Sequence, residues 1–326
     1  GLVIMACLEA DPSCYDWAYA LYDPMIKEDG SIATYREGEF NLDQINAGRN
    51  LFTFYKRSGE ERFLLAAQRL HEQLQHQPRT KSGVFWHKEI YPWQIWLDGL
   101  YMEGPFSAEY DQLTNDEKGQ DDIVNQLRIT YETLKDEKTG LLYHAYDESR
   151  GMRWSDPKTG LSPHFWGRAM GWYCMACLDV LDYLPAESEG TETIKGIIKQ
   201  LVPAFLNYQD KETGMWYQIL DEGGRKGNYL ETSATSMFVY TLLKAARKGI
   251  IAKQPATQAA QKAFDGMKQK YLNKDLTLGG ICSVAGLGGN PCRDGSFDYY
   301  ISEKVATDDF KGVGPFILAC LEIEHA

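Results

Sequence analysis

Asp136-Glu-Lys-Thr-Gly140-Leu-Leu-Tyr143 returns 74 residues later as Asp210-Lys-Glu-Thr-Gly214-Met-Trp-Tyr217. Each copy is a polar turn ending in glycine, then a short aromatic or branched stretch. A glycine-containing helix start follows, then a long apolar run, a break and a more polar run. Looser copies are Glu28-Asp-Gly30-Ser-Ile32 and Lys81-Ser-Gly83-Val-Phe85. A pattern that recurs at intervals of roughly 50–80 residues marks a closed array of supersecondary units.

Working outward from these turns, apolar helices are expected over 1–8, 43–57, 96–110, 166–184, 230–248 and 312–324. Several, such as 170–184, are apolar nearly all round, which is the mark of a buried helix. Amphipathic helices are expected between them, over 14–27, 60–77, 118–136, 190–208 and 255–271. In the second of these, Gln68, Arg69, Glu72 and Gln73 alternate with Leu65, Leu70 and Leu74, as on a surface helix. Six inner and five outer helices predict an all-α, six-hairpin (α/α)6 barrel, a toroid forming a single domain over 1–326. The twelfth helix, an outer one, is expected upstream of Gly1, where the chain opens in what reads as mid-helix. In such a ring the loops before the inner helices gather at one end. The inner helix N-termini open there too, and their dipoles favour anions.

Composition narrows the function. The formal charge of −12 argues against nucleic acid as a partner, because phosphate binding needs clustered Lys and Arg. No stretch approaches the roughly 18–20 apolar residues of a membrane helix, so no membrane partner is expected. The protein reads as soluble, cytoplasmic or periplasmic. The 20 Tyr and 8 Trp supply faces of the kind that stack on sugar rings. Seven widely spaced Cys make no disulfide framework. Cys174 and Cys177 form a CxxC inside an apolar helical run, with no second pair at zinc spacing, so they read as buried thiols. No metal-ligand spacing appears, and no metal or cofactor is expected.

The densest chemistry lies in 83–102, which holds His87, Trp93, Trp96 and Asp98. Asp98 opens an otherwise apolar inner helix. It is either an ionised N-terminal cap or a carboxyl whose apolar surroundings raise its pKa, as suits a general acid. The flanking His87, Trp93 and Trp96 favour a site. Asp43 takes the equivalent place on the neighbouring inner helix, and paired carboxylates are the usual equipment of glycosidic chemistry. His144 follows the Gly140 turn. Arg168 and Trp172, four apart, share one helix face. An arginine in so apolar a run needs an anionic partner, either Asp43 or Asp98 or a substrate carboxylate. Glu231-Thr232-Ser233 reads as a helix cap. Gly286-Leu-Gly288-Gly289-Asn-Pro lacks the lysine and the setting of a phosphate loop.

At these residues the chain resembles the unsaturated rhamnogalacturonyl hydrolases, glycoside hydrolase family 105. The matching segments are Leu42-Asp43-Gln-Ile-Asn46-Ala-Gly48, 83–106 around Trp96-Leu-Asp98-Gly99-Leu-Tyr-Met, 165–185, Glu231-Thr232-Ser233 with Met237-Phe238, and Gly312-Val-Gly-Pro-Phe316. They run through nearly the whole chain in family order. Relatives often carry Gly-Asn-Gly-Trp where this chain has Ala169-Met170-Gly171-Trp172. The resemblance implies the six-hairpin barrel and release of a 4,5-unsaturated galacturonyl residue from the non-reducing end of rhamnogalacturonan or pectin oligosaccharides, by hydration of the C4=C5 vinyl ether. It implies Asp98 as general acid/base and Asp43 as second essential carboxylate. His87, Trp96, His144, Arg168 and Trp172 are the implied substrate-binding residues, and the partner is an oligosaccharide ending in an unsaturated uronic acid. Alternatives are an unsaturated glucuronyl hydrolase acting on glycosaminoglycan fragments and an ordinary two-carboxylate glycosidase on the same ring.

Overall fold

The computed structural model describes residues 1–326. Its helices in chain order are α1 (Leu2–Ala10), α2 (Tyr15–Tyr22), α3 (Arg49–Ser58), α4 (Glu61–His76), α5 (Leu97–Thr114) and α6 (Glu117–Leu134). Then come α7 (Gly167–Val180), α8 (Glu189–Leu206), α9 (Thr232–Arg247), α10 (Lys253–Tyr271), α11 (Phe297–Ser302) and α12 (Phe310–His325). The inner ring is α1, α3, α5, α7, α9 and α12, with α2, α4, α6, α8 and α10 outside it, as the apolar pattern predicts. No helix is long and apolar enough to cross a membrane.

Burial explains the division. Every residue of α7 is buried, whereas α4 buries one stripe that includes Phe63, Ala66, Ala67, Leu70 and Leu74. Small residues let the inner helices approach. A Cβ on Gly171 would stand 2.8 Å from Met237 Cβ, so α7 meets α9 there. The ring closes where α1 meets α12, and a Cβ on Gly314 would stand 2.6 Å from Leu2 Cγ. Across the axis, Asp179 of α7 pairs with Arg49 of α3 at 3.1 Å and with Lys244 of α9 at 2.7 Å. These buried ions tie three inner helices together.

The repeated turns share one construction. Asp136 takes the Thr139 amide at 2.8 Å and Asp210 takes the Thr213 amide at 2.8 Å, while Gly140 and Gly214 sit at φ 73° and 76°. That left-handed conformation is one glycine adopts without a side-chain clash. A third copy, Asp156-Pro-Lys-Thr-Gly160, is built the same way, with Asp156 on the Thr159 amide at 2.7 Å. Bridges Ile26↔Ile32, Arg79↔Phe85, Lys135↔Leu142 and Leu272↔Leu278 close tight hairpins after four of the five outer helices.

One expectation needs adjusting. The inner helix expected over 43–57 starts at Arg49; Leu42–Gln44 and Asn46–Gly48 are 3-10 turns. The Asn41 side chain accepts the Asp43 amide at 3.0 Å, and such local bonds compete with a helical ladder.

The rim is stitched by one repeated backbone bond. In four of the six inner segments the opening residue donates its amide to the loop before the next: Leu42 to His87 O (3.2 Å), Leu97 to His144 O (3.2 Å), Gly167 to Gln218 O (2.9 Å) and Thr232 to Gly280 O (2.9 Å). One residue further on, Asp43, Asp98, Arg168 and Ser233 therefore hold equivalent stations around the ring. Two short antiparallel ribbons reinforce this end. They are β1 (Gln94–Trp96) on β2 (Ala145–Asp147), and β3 (Ile281–Cys282) on β4 (Val305–Ala306).

Candidate active site

A cleft of about 390 Å³ opens at the stitched rim. Asp43, His87, Trp96, Asp98, His144, Arg168 and Trp172 all line it, with Lys88, Tyr91 and Arg293 among its other walls.

Two carboxylate–histidine pairs lie one repeat apart. Asp98 Oδ2 stands 3.4 Å from His144 Nε2, and Asp43 Oδ1 stands 3.4 Å from His87 Nε2. Each histidine packs on the tryptophan that precedes the next inner helix. His87 stacks on Trp96 at 4.8 Å and 5°, and His144 tilts on Trp166 at 4.7 Å. The pairs differ in exposure. The Asp98 side chain is 16% exposed and that of Asp43 is 43%, and Asp43 is also held by Lys88 at 2.6 Å. His144 Nδ1 meets the Tyr300 hydroxyl at 2.7 Å. With Nε2–H facing the Asp98 carboxylate, Nδ1 accepts the Tyr300 proton.

The expected rise in the Asp98 pKa is reversed. Burial pushes this carboxyl up, but His144, His87 and Arg168 together outweigh it and hold it below the ordinary aspartate value. Burial lowers the pKa of His87 more than the nearby Asp43 raises it.

Arg168 is 1% exposed and pairs with neither aspartate. Its Nη1 donates to the Cys282 carbonyl, its Nη2 to Ser283 O at 3.4 Å, and its plane lies over Trp166 at 4.7 Å. The reason is geometric: Glu231 fixes β3 beside it. The Glu231 carboxylate caps α9 through the Ala234 amide at 2.6 Å and takes the Cys282 amide at 2.8 Å, which turns the next carbonyls toward Arg168. The capping role read for Glu231 is borne out. Arg168 is thus a buried cation with no carboxylate within ion-pair distance.

The aromatic walls are committed to one another. Trp96 is sandwiched between His87 and Tyr91, the latter at 4.9 Å and 12°, so it offers the cleft its edge. One face of Trp172 is covered by Tyr101 at 4.7 Å. Lys88, Tyr91 and Tyr300 were not singled out from the sequence. Lys88 and Tyr91 fall within the segment already marked as dense, but Tyr300 lies 156 residues from His144 and carries no local signal. No group of three or more His, Cys, Asp or Glu side chains stands together as metal ligands would.

The helical toroid thus gathers two carboxylates and a buried guanidinium on one loop rim, and comparison with known proteins gives its class. The model of Glycosyl Hydrolase Family 88 matches residues 1–326, and the chain belongs to that family. A glycoside hydrolase from family 105 of C. acetobutylicum is similar at 47% identity and a TM-score of 0.95, over 99% of this chain and 91% of that one. The 24.9 kDa protein in picA locus of Rhizobium radiobacter is 40% identical over 227 residues, covering 67% of this chain and 96% of that protein. The unsaturated rhamnogalacturonyl hydrolase YesR of Bacillus subtilis is 27% identical over 64% of this chain and 59% of its own length. The unsaturated glucuronyl hydrolase of Bacillus sp. GL1 shares the fold, with a TM-score of 0.66 at 15% identity, over 98% of this chain and 84% of that one.

Proposed function

We propose that this glycoside hydrolase removes a 4,5-unsaturated galacturonyl residue from the non-reducing end of rhamnogalacturonan fragments. The observation that carries the reading is Arg168, a buried guanidinium without a carboxylate, in the cleft that holds Asp98. A buried cation calls for an anion, and the carboxylate of a terminal uronic acid supplies one. The likeness to the relative named for rhamnogalacturonyl hydrolysis supports this substrate class.

In this reading Asp98 gives its proton to C4 of the vinyl ether. The resulting carboxylate takes a proton from the water that adds at C5, so Asp98 ends as it began. The C5 hemiketal opens, and the hemiacetal left at C1 expels the leaving segment. His144 orients Asp98. Asp43, clamped by Lys88 and His87, holds the attacking water or a sugar hydroxyl. Because one carboxyl performs both proton transfers, the spacing rule for two-carboxylate glycosidases does not govern. All of this machinery falls within the single catalytic domain, 1–326.

The test is to mix the protein with pectin-lyase and chondroitin-lyase products and follow the ultraviolet absorbance of the conjugated double bond. Loss of absorbance with the rhamnogalacturonan product is expected. Turnover of the chondroitin product alone moves the assignment to glucuronyl substrates. Cleavage of saturated oligosaccharides with the double-bond signal untouched rules out hydration.

A further inference from the structure

Arg293 is a second guanidinium in the cleft with no carboxylate partner. Its Nε donates to Gly288 O at 2.8 Å, and its Nη2 donates to Leu287 O at 3.2 Å and to the Tyr91 hydroxyl at 3.1 Å. Its Nη1 has no partner in the chain. The group lies in a bed of glycines: a Cβ on Gly286 would stand 2.5 Å from Nη1, and one on Gly289 would stand 3.2 Å from Nη2. The glycine-rich run that fits no phosphate loop therefore makes room for an arginine. The two lysines of the cleft are engaged by carboxylates, Lys88 by Asp43 at 2.6 Å and Lys311 by Asp309 at 2.7 Å.

Arg168 and Arg293 hang from opposite ends of one segment. The first is held by the carbonyls of Cys282 and Ser283, the second by those of Leu287 and Gly288. Val284, Ala285 and Gly286, between them, line the cleft. Five residues of extended chain span at most roughly 18 Å, so both arginines reach a single short oligosaccharide. Arg293 also fixes Tyr91, which covers Trp96 and through it His87.

We infer that Arg293, seated over Gly286 and Gly289, is an anion subsite for the leaving segment of the substrate. It takes a carboxylate or sulfate oxyanion carried beyond the bond that breaks. The inference rests on the function proposed above, in which Arg168 takes the terminal carboxylate and Arg293 reads a second charge further along.

Three unsaturated substrates test it: a galacturonyl-rhamnose disaccharide with a neutral leaving sugar, the tetrasaccharide whose leaving segment carries a carboxylate, and a disaccharide sulfated on its leaving sugar. Wild-type kcat/KM is expected to favour an anionic leaving segment by about tenfold, the scale of one charge-assisted contact. Arg293→Gln and Gly286→Ala should each bring the ratio close to one, the second by placing a methyl where Nη1 lies. The carboxylate and sulfate arms identify the oxyanion. The same three ligands are titrated by tryptophan fluorescence into the Asp98→Asn protein with and without Arg293→Gln, so that preference is read as Kd without turnover. Equal Kd for neutral and anionic ligands, or a preference that survives Arg293→Gln, overturns the subsite. Failure of the wild type to turn over any of the three overturns the hydrolase reading alone, because the Kd ratio still scores Arg293.

Discussion

Asp98 Oδ2 and His144 Nε2 face each other across 3.4 Å, and neither atom has a hydrogen-bond partner elsewhere in the chain. Buried polar atoms are rarely left in this state without a use. The repeat explains how the pair arises. The Leu97 amide bonded to His144 O fixes the backbone and brings Asp98, one step further on, within reach of the His144 ring. The same bond from Leu42 to His87 O builds the Asp43–His87 pair. What separates the two is Lys88, which pairs with Asp43 and not with Asp98.

Asp98→Asn keeps the shape of the carboxyl and removes its titratable proton. Turnover is expected to fall at least about 10²–10⁴-fold, the usual range for a general acid/base, and further because one group serves both transfers. Steady-state rates on an unsaturated oligosaccharide check it. A variant within a few-fold of wild type would remove Asp98 from the mechanism.

The depressed Asp98 pKa gives a pH signature. The free enzyme holds this carboxyl down with His144, His87 and Arg168, yet the first step of the proposed hydration needs its proton. A bound substrate carboxylate offsets Arg168 and displaces water, and both effects raise the Asp98 pKa. Since kcat/KM reports the free enzyme and kcat the complex, kcat should hold up to a higher pH than kcat/KM. Coincident limbs in the two profiles would show that substrate does not retune the acid.

Much of this site was legible in the sequence, because its residues stand at helix starts. Asp43, Asp98 and Arg168 are polar residues opening apolar runs, and the repeat puts them on one rim. Less legible was everything that depends on a contact between distant repeats. Tyr300 comes from a six-residue helix too short for a periodic signal. The partners of Arg168 are carbonyls at the end of a two-residue strand and just beyond it, which no side-chain pattern reveals. The direction of the Asp98 shift depends on His87 and His144 from the loops before α5 and α7 and on Arg168 of α7 itself, so an apolar helix start alone suggested the opposite sign. The third turn copy at Asp156 carries the same spacing as the other two and was open to the same search.

Arg168→Lys keeps the charge and loses the planar fork. A lysine has no second prong with which to hold the Cys282 and Ser283 carbonyls while meeting a substrate carboxylate. The expected loss in kcat/KM is about 10–100-fold, carried mainly by KM, with the thermal midpoint measured in parallel. A variant with unchanged KM and a lowered midpoint would make Arg168 a loop clamp only.

Glu103 offers a stability test away from the cleft. It lies in α5, 1% exposed, with Ser107 Oγ donating to Oε2 at 3.1 Å and Oε1 without a partner. Burial pushes its pKa from 4.5 up to about 8, so the folded protein keeps this proton at neutral pH while the unfolded chain releases it. Below the unfolded value both states are protonated and the group costs nothing. As pH rises toward the folded value, the unfolded state gains by ionising and stability falls, at no more than about 1.4 kcal/mol per pH unit. Between the unfolded pKa and neutrality the loss amounts to roughly 2–3 kcal/mol for so buried a group. Glu103→Gln retains the shape and cannot ionise. Its advantage over wild type in urea unfolding should therefore be small near pH 4.5 and grow by that amount near neutral pH. A difference that stays constant across this range would mean that Glu103 is not held neutral in the fold.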